Sequence, residues 1–308
     1  MRKRRLFALL AAVLVAGCSV PVEEGSAPAA SPSSPAAQPA PAPAPKPDPP
    51  PEEPLPGGEL HPYVQALVEE RVSALLLPGM SDYQKAKAAF DSMIVHTVME
   101  EPIGGELWRI HGGGEEPVPF LEQRAISPLK YGVGMCEDYA AALTLVLRGM
   151  GLAAEYVPGL TYSAEGHLVD HAWTVVRLEG TWYHLDCQLE DNISRRGTVR
   201  YRYFLRGDAT LSASHRWGQN LVDSGLLTPE QAQEVEENWL APSCPQDYPT
   251  PERYLFEEAP PPDINALRAQ AGKELDTWEA EHGPLPPMTL DDVPPVFGLA
   301  GYGPPDEG

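Results

Sequence analysis

The stretch GMCEDYAAALTLVLRGMGL, from Gly134 to Leu152, decides the fold together with DHAWTVVRLEGTWYHLD, from Asp170 to Asp186. In the first, Tyr139, Ala140, Leu143, Val146, Leu147 and Met150 recur at helical spacing, and Gly149 and Gly151 stop the run. A helix over Met135–Met150 follows, with Cys136 in its first turn. Downstream, Ala153–Gly159, His171–Leu178 and Thr181–Cys187 read as strands, the last two joined by the two-residue turn Glu179-Gly180. The expectation is an α+β fold, with one helix packed on an antiparallel sheet.

A thiol attacks a carbonyl carbon as thiolate, and the first turn of a helix favours negative charge through its unpaired amides and dipole. Cys136 has that position. Gly132 and Gly134 just before it allow a close approach and leave backbone amides open toward a substrate oxygen. An attacking thiol also needs an imidazole to carry its proton and an acceptor to orient that imidazole. If Glu179 and Gly180 form the turn, Leu178 faces Thr181, Trp173 faces Asp186, and His171 lies diagonally across from Asp186 on one sheet face. A slip of one residue would part them. Cys136, His171 and Asp186 are therefore the expected catalytic residues.

The rival carboxylates are less well placed: Asp170 points to the other face, and Glu190 and Asp191 lie beyond the strand. His184 shares a strand face with Asp186 and can contact the site. Glu137 and Asp138 read as charges favourable to the helix dipole. Tyr131, Gly134 and Trp173 are the expected substrate contacts, although a tryptophan at the Trp173 position is more often core, where it would shield the ion pair from water. Cys136, His171, His184 and Asp186 are ordinary zinc ligand types, but the chain lacks the closely spaced ligand pairs of zinc sites. No metal or organic cofactor is expected.

YGVGMCEDYAAALTLVLRGMGL (131–152) and DHAWTVVRLEGTWYHLD (170–186) resemble the transglutaminase-like superfamily, whose fold is related to papain-like proteases. YFLRGDATLSASHRW (203–217) is similar to the segment after the aspartate in bacterial members, so the resemblance covers roughly Asp82 to Trp217. It implies nucleophile Cys136, general base His171 and orienting Asp186. Such proteins include proteases, crosslinking transglutaminases, deamidases and inactive domains, so the fold alone leaves the reaction open. Hydrolysis of peptide or glutamine-type amides through a thioester is the first expectation, because water is the most abundant acceptor. Crosslinking, deamidation, or an inactive cell-wall or protein-binding module are the alternatives.

The rest of the chain sets the context. Basic residues in Met1–Arg5 precede an apolar run, Leu6–Ala16, that is shorter than the about 20 residues a membrane span needs. It reads as a secretory leader. Leu14–Cys18 resembles the bacterial lipobox with Val15 in place of the usual leucine, which makes Cys18 the expected lipidation site. Residues 19–58 are proline- and alanine-rich and read as a disordered linker, able to hold a domain roughly 100 Å from a membrane. Residues 59–245 form the expected catalytic domain, and residues 246–308 an extension with one helix and a loosely ordered proline-rich tail. The location this implies is the bacterial cell envelope, on the outer face of the cytoplasmic membrane, with membrane contact through the lipid alone.

A formal charge of −22, more negative still without the leader, disfavours nucleic acid. The expected partners are peptide or protein substrates, including cell-wall peptides. Cys187 and Cys244 remain after Cys18 and Cys136 are assigned, either as an optional disulfide or as two separate buried thiols. Helices are also expected at His61–Leu77, after the capping box Ser81/Gln84, from Thr228-Pro229 to about Leu240, and from Asp263 to near Gly283. Tyr201–Arg206 reads as a further strand. Ile103–Lys130, rich in glycine and proline, reads as a long loop beside a substrate cleft.

Overall fold

The computed structural model describes residues 59–111, 118–193 and 197–287. The leader, Cys18, the linker and the last part of the tail lie outside the described residues. Helices α1 (Pro62–Leu75) and α2 (Asp82–His96) come first, then β1 (Val98–Met99), a 3-10 turn at Leu107–Ile110 and α3 (Phe120–Tyr131). After β2 (Val133–Gly134) follow α4 (Cys136–Gly149), β3 (Ala154–Tyr162), β4 (Leu168–Leu178), β5 (Thr181–Leu185) and α5 (Cys187–Ile193). The remainder holds β6 (Thr198–Val199), β7 (Phe204–Arg206), α6 (Asp208–Leu211), β8 (His215–Arg216), α7 (Gly218–Val222), α8 (Pro229–Asn238), β9 (Tyr254–Leu255) and α9 (Ile264–His282). No helix among the described residues is long and apolar enough to cross a membrane.

The architecture is the expected α+β one. A five-stranded antiparallel sheet, ordered β7-β5-β4-β3-β8, carries α4 against one face, and α1, α2 and α3 close over the helix. Ala140, Ala141 and Ala142 are all buried, so small side chains surround this turn of α4. Thr144 Oγ1 meets Thr174 Oγ1 of β4 at 3.1 Å, and the Thr174 hydroxyl donates to Ala140 O at 3.0 Å. These bonds satisfy hydroxyls that burial would otherwise leave unpaired. The apolar side chains of α4 share one core with Phe90, Met93, Leu185 and Phe204.

Local chemistry explains the boundaries. Ser81 accepts from Gln84 N–H while the Gln84 side chain accepts from Ser81 N–H (2.8 Å), the reciprocal cap read from the sequence. Asp263 caps α9 by accepting from Ala266 N–H at 3.0 Å. Glu179 and Gly180 both take positive φ, 50° and 82°, which makes the β4–β5 connection a tight turn matched to strand twist. β3 and β4 run further than expected, because the hairpin continues to Ser163, whose N–H donates to His167 O at 2.7 Å.

Two expectations are corrected. Ile103–Lys130 is not loop throughout: Leu107–Ile110 is a 3-10 turn and α3 occupies the second half despite Pro128. That proline sits in the last turn, where its missing N–H removes a single helical bond, and Gly132 closes the helix at φ 66° with its N–H on Pro128 O. Tyr201–Arg206 is strand only from Phe204, since Tyr201 adopts positive φ; Leu205, also at positive φ, lies within β7, where the pairing with β5 shifts register. Beyond residue 245 the chain straps the core: β9 pairs with β6, and α9 lays Ile264, Leu267 and Leu275 against Ile103 and Tyr131.

Candidate active site

The chain is steered into α4 by the short parallel pair β1·β2, where Val98 N–H donates to Gly132 O and Glu100 N–H to Gly134 O. Cys136 is the first residue of α4 and is partly exposed. Asp138 turns back to accept from Met135 N–H at 2.8 Å, and Arg124 reaches from α3 to both Asp138 (3.3 Å) and Glu137. Burial, opposed by Arg124, lifts the Asp138 carboxyl to about 6. A Cβ on Gly134 would come within 2.7 Å of Asp138 Cβ, so this glycine is required by the cap that seats the cysteine. That packing reason stands where a substrate contact was expected.

The hairpin register is the one derived above: Leu178 faces Thr181 and Thr174 faces Leu185, which leaves Asp186 one step beyond β5. His171 Nε2 lies 2.7 Å from Asp186 Oδ2, both side chains being almost completely buried. Burial works to lower the His171 pKa. The Asp186 carboxylate and the hydrogen-bonded Cys136 outweigh it and raise the imidazole to about 10. Since Nε2 is committed to Asp186, Nδ1 is the nitrogen left for the Cys136 thiol. The three residues expected from the sequence thus meet at the junction of α4 and the sheet.

Asp186 has a second task. Its Oδ1 accepts from Leu189 N–H at 2.9 Å and its carbonyl from Glu190 N–H, so it is the amino-terminal cap of α5. A fourth residue joins from β8: His215 Nε2 lies 3.0 Å from the same Asp186 Oδ2, while its Nδ1 sits 2.8 Å from Ser214 Oγ. Burial keeps His215 below its ordinary pKa, hence neutral, and it donates to the carboxylate. Burial would raise Asp186, yet His171 and His215 together hold it well below the usual carboxylate range.

Trp173 departs from its expected role as a substrate contact. It is buried behind His171, with ring centroids 5.9 Å apart, and its indole N–H donates to His184 Nδ1 at 3.0 Å. It fills the core between histidines and keeps water from them. Tyr131 is corrected likewise: it lies in the α9-facing core with its hydroxyl buried. His184 does not bond Asp186; its Nε2 faces Asp208 Oδ1 at 3.0 Å, and Asp208 in turn holds Cys244 N–H and Ser243 Oγ. Cys187 and Cys244 are separate buried thiols, one in the main core and one beside Trp173 and Trp217, which settles against their disulfide.

Among the described residues, two groups offer ligand-type atoms close together: His171, Asp186 and His215, and His184, Asp208 and Cys244. Neither suits a metal. In the first, both imidazoles already touch one carboxylate oxygen. In the second, the Trp173 N–H occupies the Nδ1 lone pair, so the single proton of neutral His184 must sit on Nε2, the nitrogen an ion would need.

Residues 107–187 match the family model described as the transglutaminase-like superfamily. No curated protein matches the sequence. Among solved structures, the crystal structure of a TGase is similar at 16% identity and a TM-score of 0.29, over 41% of this chain and 31% of that one. An arylamine N-acetyltransferase from Bacillus cereus, described as having a unique Cys-His-Glu catalytic triad, is similar at 16% identity and a TM-score of 0.28, over 42% of this chain and 49% of that one. The chain thus spans less than half the length of either structure.

Proposed function

From the match of residues 107–187 to the transglutaminase-like superfamily model, we propose that this chain is an acyl transferase with a cysteine nucleophile, acting on peptide or glutamine-type amides as a peptidase or amidase. The observation that carries the reading is the buried His171–Asp186 pair at 2.7 Å, with Cys136 hydrogen-bonded to the same imidazole. The sulfur attacks the amide carbonyl and the C–N bond breaks as His171 gives its proton to the departing amine. Asp186 holds the imidazolium meanwhile. The Cys136 N–H, an orphan donor of the first turn of α4, faces the developing oxyanion. Water, deprotonated by His171, then cleaves the thioester and restores the thiol.

The proposed place of action is the cell envelope, with Cys18 as lipid anchor and peptides of the wall or envelope proteins as substrates. The exported-chain features of residues 1–58 support this. The test is to incubate the full chain with wall peptides, casein and an amine donor, and to read the products by mass spectrometry. Cleavage, a gain of one mass unit at glutamine, and a crosslink separate hydrolysis, deamidation and transamidation. Products that persist in Cys136→Ala would refute the assignment, and a chain that makes none of them with Cys136 intact would be a binding module.

A further inference from the structure

A cavity of about 580 Å³ opens between α3, β3, the second half of α4 and the residues after α8. Phe120, Tyr156 and Trp239 form its walls, and it carries the carboxylates Glu59, Glu122 and Glu155 against one cation, Arg148. Its Phe120–Tyr156 end is linked to the first turn of α4 by a chain of side-chain contacts. The Phe120 and Tyr156 rings meet edge-on at 5.5 Å, the Arg124 guanidinium lies 5.5 Å from the Phe120 ring centre, and Arg124 pairs with Glu137, the residue after the cysteine.

Two independent features of this cavity await a partner. The first is backbone. Arg177 N–H donates to Ala153 O at 2.8 Å, which fixes the alternation along β3: Glu155 and Val157 bond to β4, and Tyr156 turns its N–H and C=O toward the other edge. On that edge β8 covers only Leu160 and Thr161. Arg148 Nε takes the outward carbonyl of Ala154 at 2.8 Å, and Pro158 has no N–H. Tyr156 is left as an open rung that meets no backbone group among the described residues.

The second feature is charge. Glu122 is 6% exposed, and only its Oε2 is used, accepting from His61 N–H at 2.7 Å; its other oxygen accepts no hydrogen bond among the described residues. Glu155 accepts none at all from them, and Arg148 is engaged with the Ala154 carbonyl. Burial holds both carboxyls above their ordinary range, with His61 N–H and Arg148 respectively opposing it. A donor carrying positive charge would fill both vacancies.

We propose that this cavity is the substrate subsite for a basic residue: an extended peptide adds to the β3 edge at Tyr156 and places a lysine-like or other aliphatic ammonium side chain between Glu122 and Glu155. Strand addition supplies affinity through backbone bonds, and the pocket supplies side-chain choice. The aromatic walls suit an ammonium stem, which is apolar along its length and charged at its end. This rests on the catalytic reading only for the identity of the peptide as substrate.

The experiment measures binding apart from turnover. Fluorescein-labelled, glutamine-containing hexapeptides bearing lysine, norleucine or glutamate beside the glutamine are titrated into the full chain carrying Cys136→Ala, with anisotropy as readout. The lysine peptide should bind about tenfold tighter than the norleucine one, as expected for a charge-assisted bond. Glu155→Gln, which breaks no bond of the fold, and Glu122→Gln, which keeps an acceptor for His61, should each reduce that preference. N-methylation of the peptide backbone at the basic residue should weaken binding.

Equal affinity for the three peptides overturns the proposal, and so does a lysine preference that survives both glutamine variants. Dimerisation through this edge that the lysine peptide does not reverse, seen by sedimentation, overturns it as well. Iodoacetamide labelling of Cys136 in the unsubstituted chain is read separately. Labelling without peptide preference removes the subsite and leaves the nucleophile; preference without labelling or turnover does the reverse.

Discussion

Replacing His215 by phenylalanine tests how the site sets the basicity of His171. The substitution keeps a ring beside Trp173 and Tyr203 but deletes the N–H that reaches Asp186 Oδ2 across 3.0 Å. A buried hydrogen bond to a charged group contributes about 1.5–3 kcal/mol. With one pKa unit equal to about 1.4 kcal/mol, transfer of even half of that energy to the remaining pair raises the His171 pKa by roughly 0.5–1 unit. The sign follows from the carboxylate: with one donor fewer it is a stronger base, and it holds the His171 proton harder. The assay is an NMR titration of the labelled His171 imidazole, compared in the parent chain, His215→Phe and His215→Gln. Glutamine retains an N–H donor and should restore most of the parent behaviour. A His171 titration that is identical in all three proteins would refute the argument, whatever happens to their stability.

Further expectations concern folding and packing. His171 gains proton affinity on folding, so the stability its pair with Asp186 contributes is complete below about 6.5, declines above it, and is lost as pH rises through about 10. Urea midpoints should fall across that window in the parent chain, and a flat profile there would contradict the pairing. Gly132→Ala should cost about 2 kcal/mol or more, because φ is 66° and the added methyl would come 2.4 Å from His96 O; a loss below about 0.5 kcal/mol in chemical denaturation would show that the entry to α4 yields freely. Trp173→Phe leaves His184 Nδ1 without its donor and should lower stability by roughly 1–3 kcal/mol, and His184→Phe in the same background should add little more if the two residues act as one unit.

The parts of the site that were legible in the sequence are those fixed by short-range periodicity. α4 declared itself through a 3.6-residue apolar repeat, and the turn at Glu179-Gly180 fixed a register in which His171 and Asp186 must share a face. His215 could not be read that way. It approaches Asp186 from 29 residues on, in a two-residue strand too short to show alternation. The only signal was its place inside the segment 203–217, whose likeness to bacterial relatives assigned it no task. α3 was hidden for the opposite reason: the local prior against proline is strong, yet a proline in a final turn costs one bond and tertiary packing absorbs it. Trp173 stands beside His171 in sequence and space, but its indole N–H turns inward, and only three-dimensional contacts reveal that its partner is His184.

The double duty of Asp186 couples chemistry to conformation. The carboxylate that steadies the imidazole is also the group around which the next helix winds, so its orientation exists only while that helix is closed. In the unfolded chain, sulfur, imidazole and acid are strung far apart and none of them is primed. Reactivity is acquired in the same event that completes the fold, and a local opening of the segment after Asp186 would extinguish it without disturbing the cysteine at all.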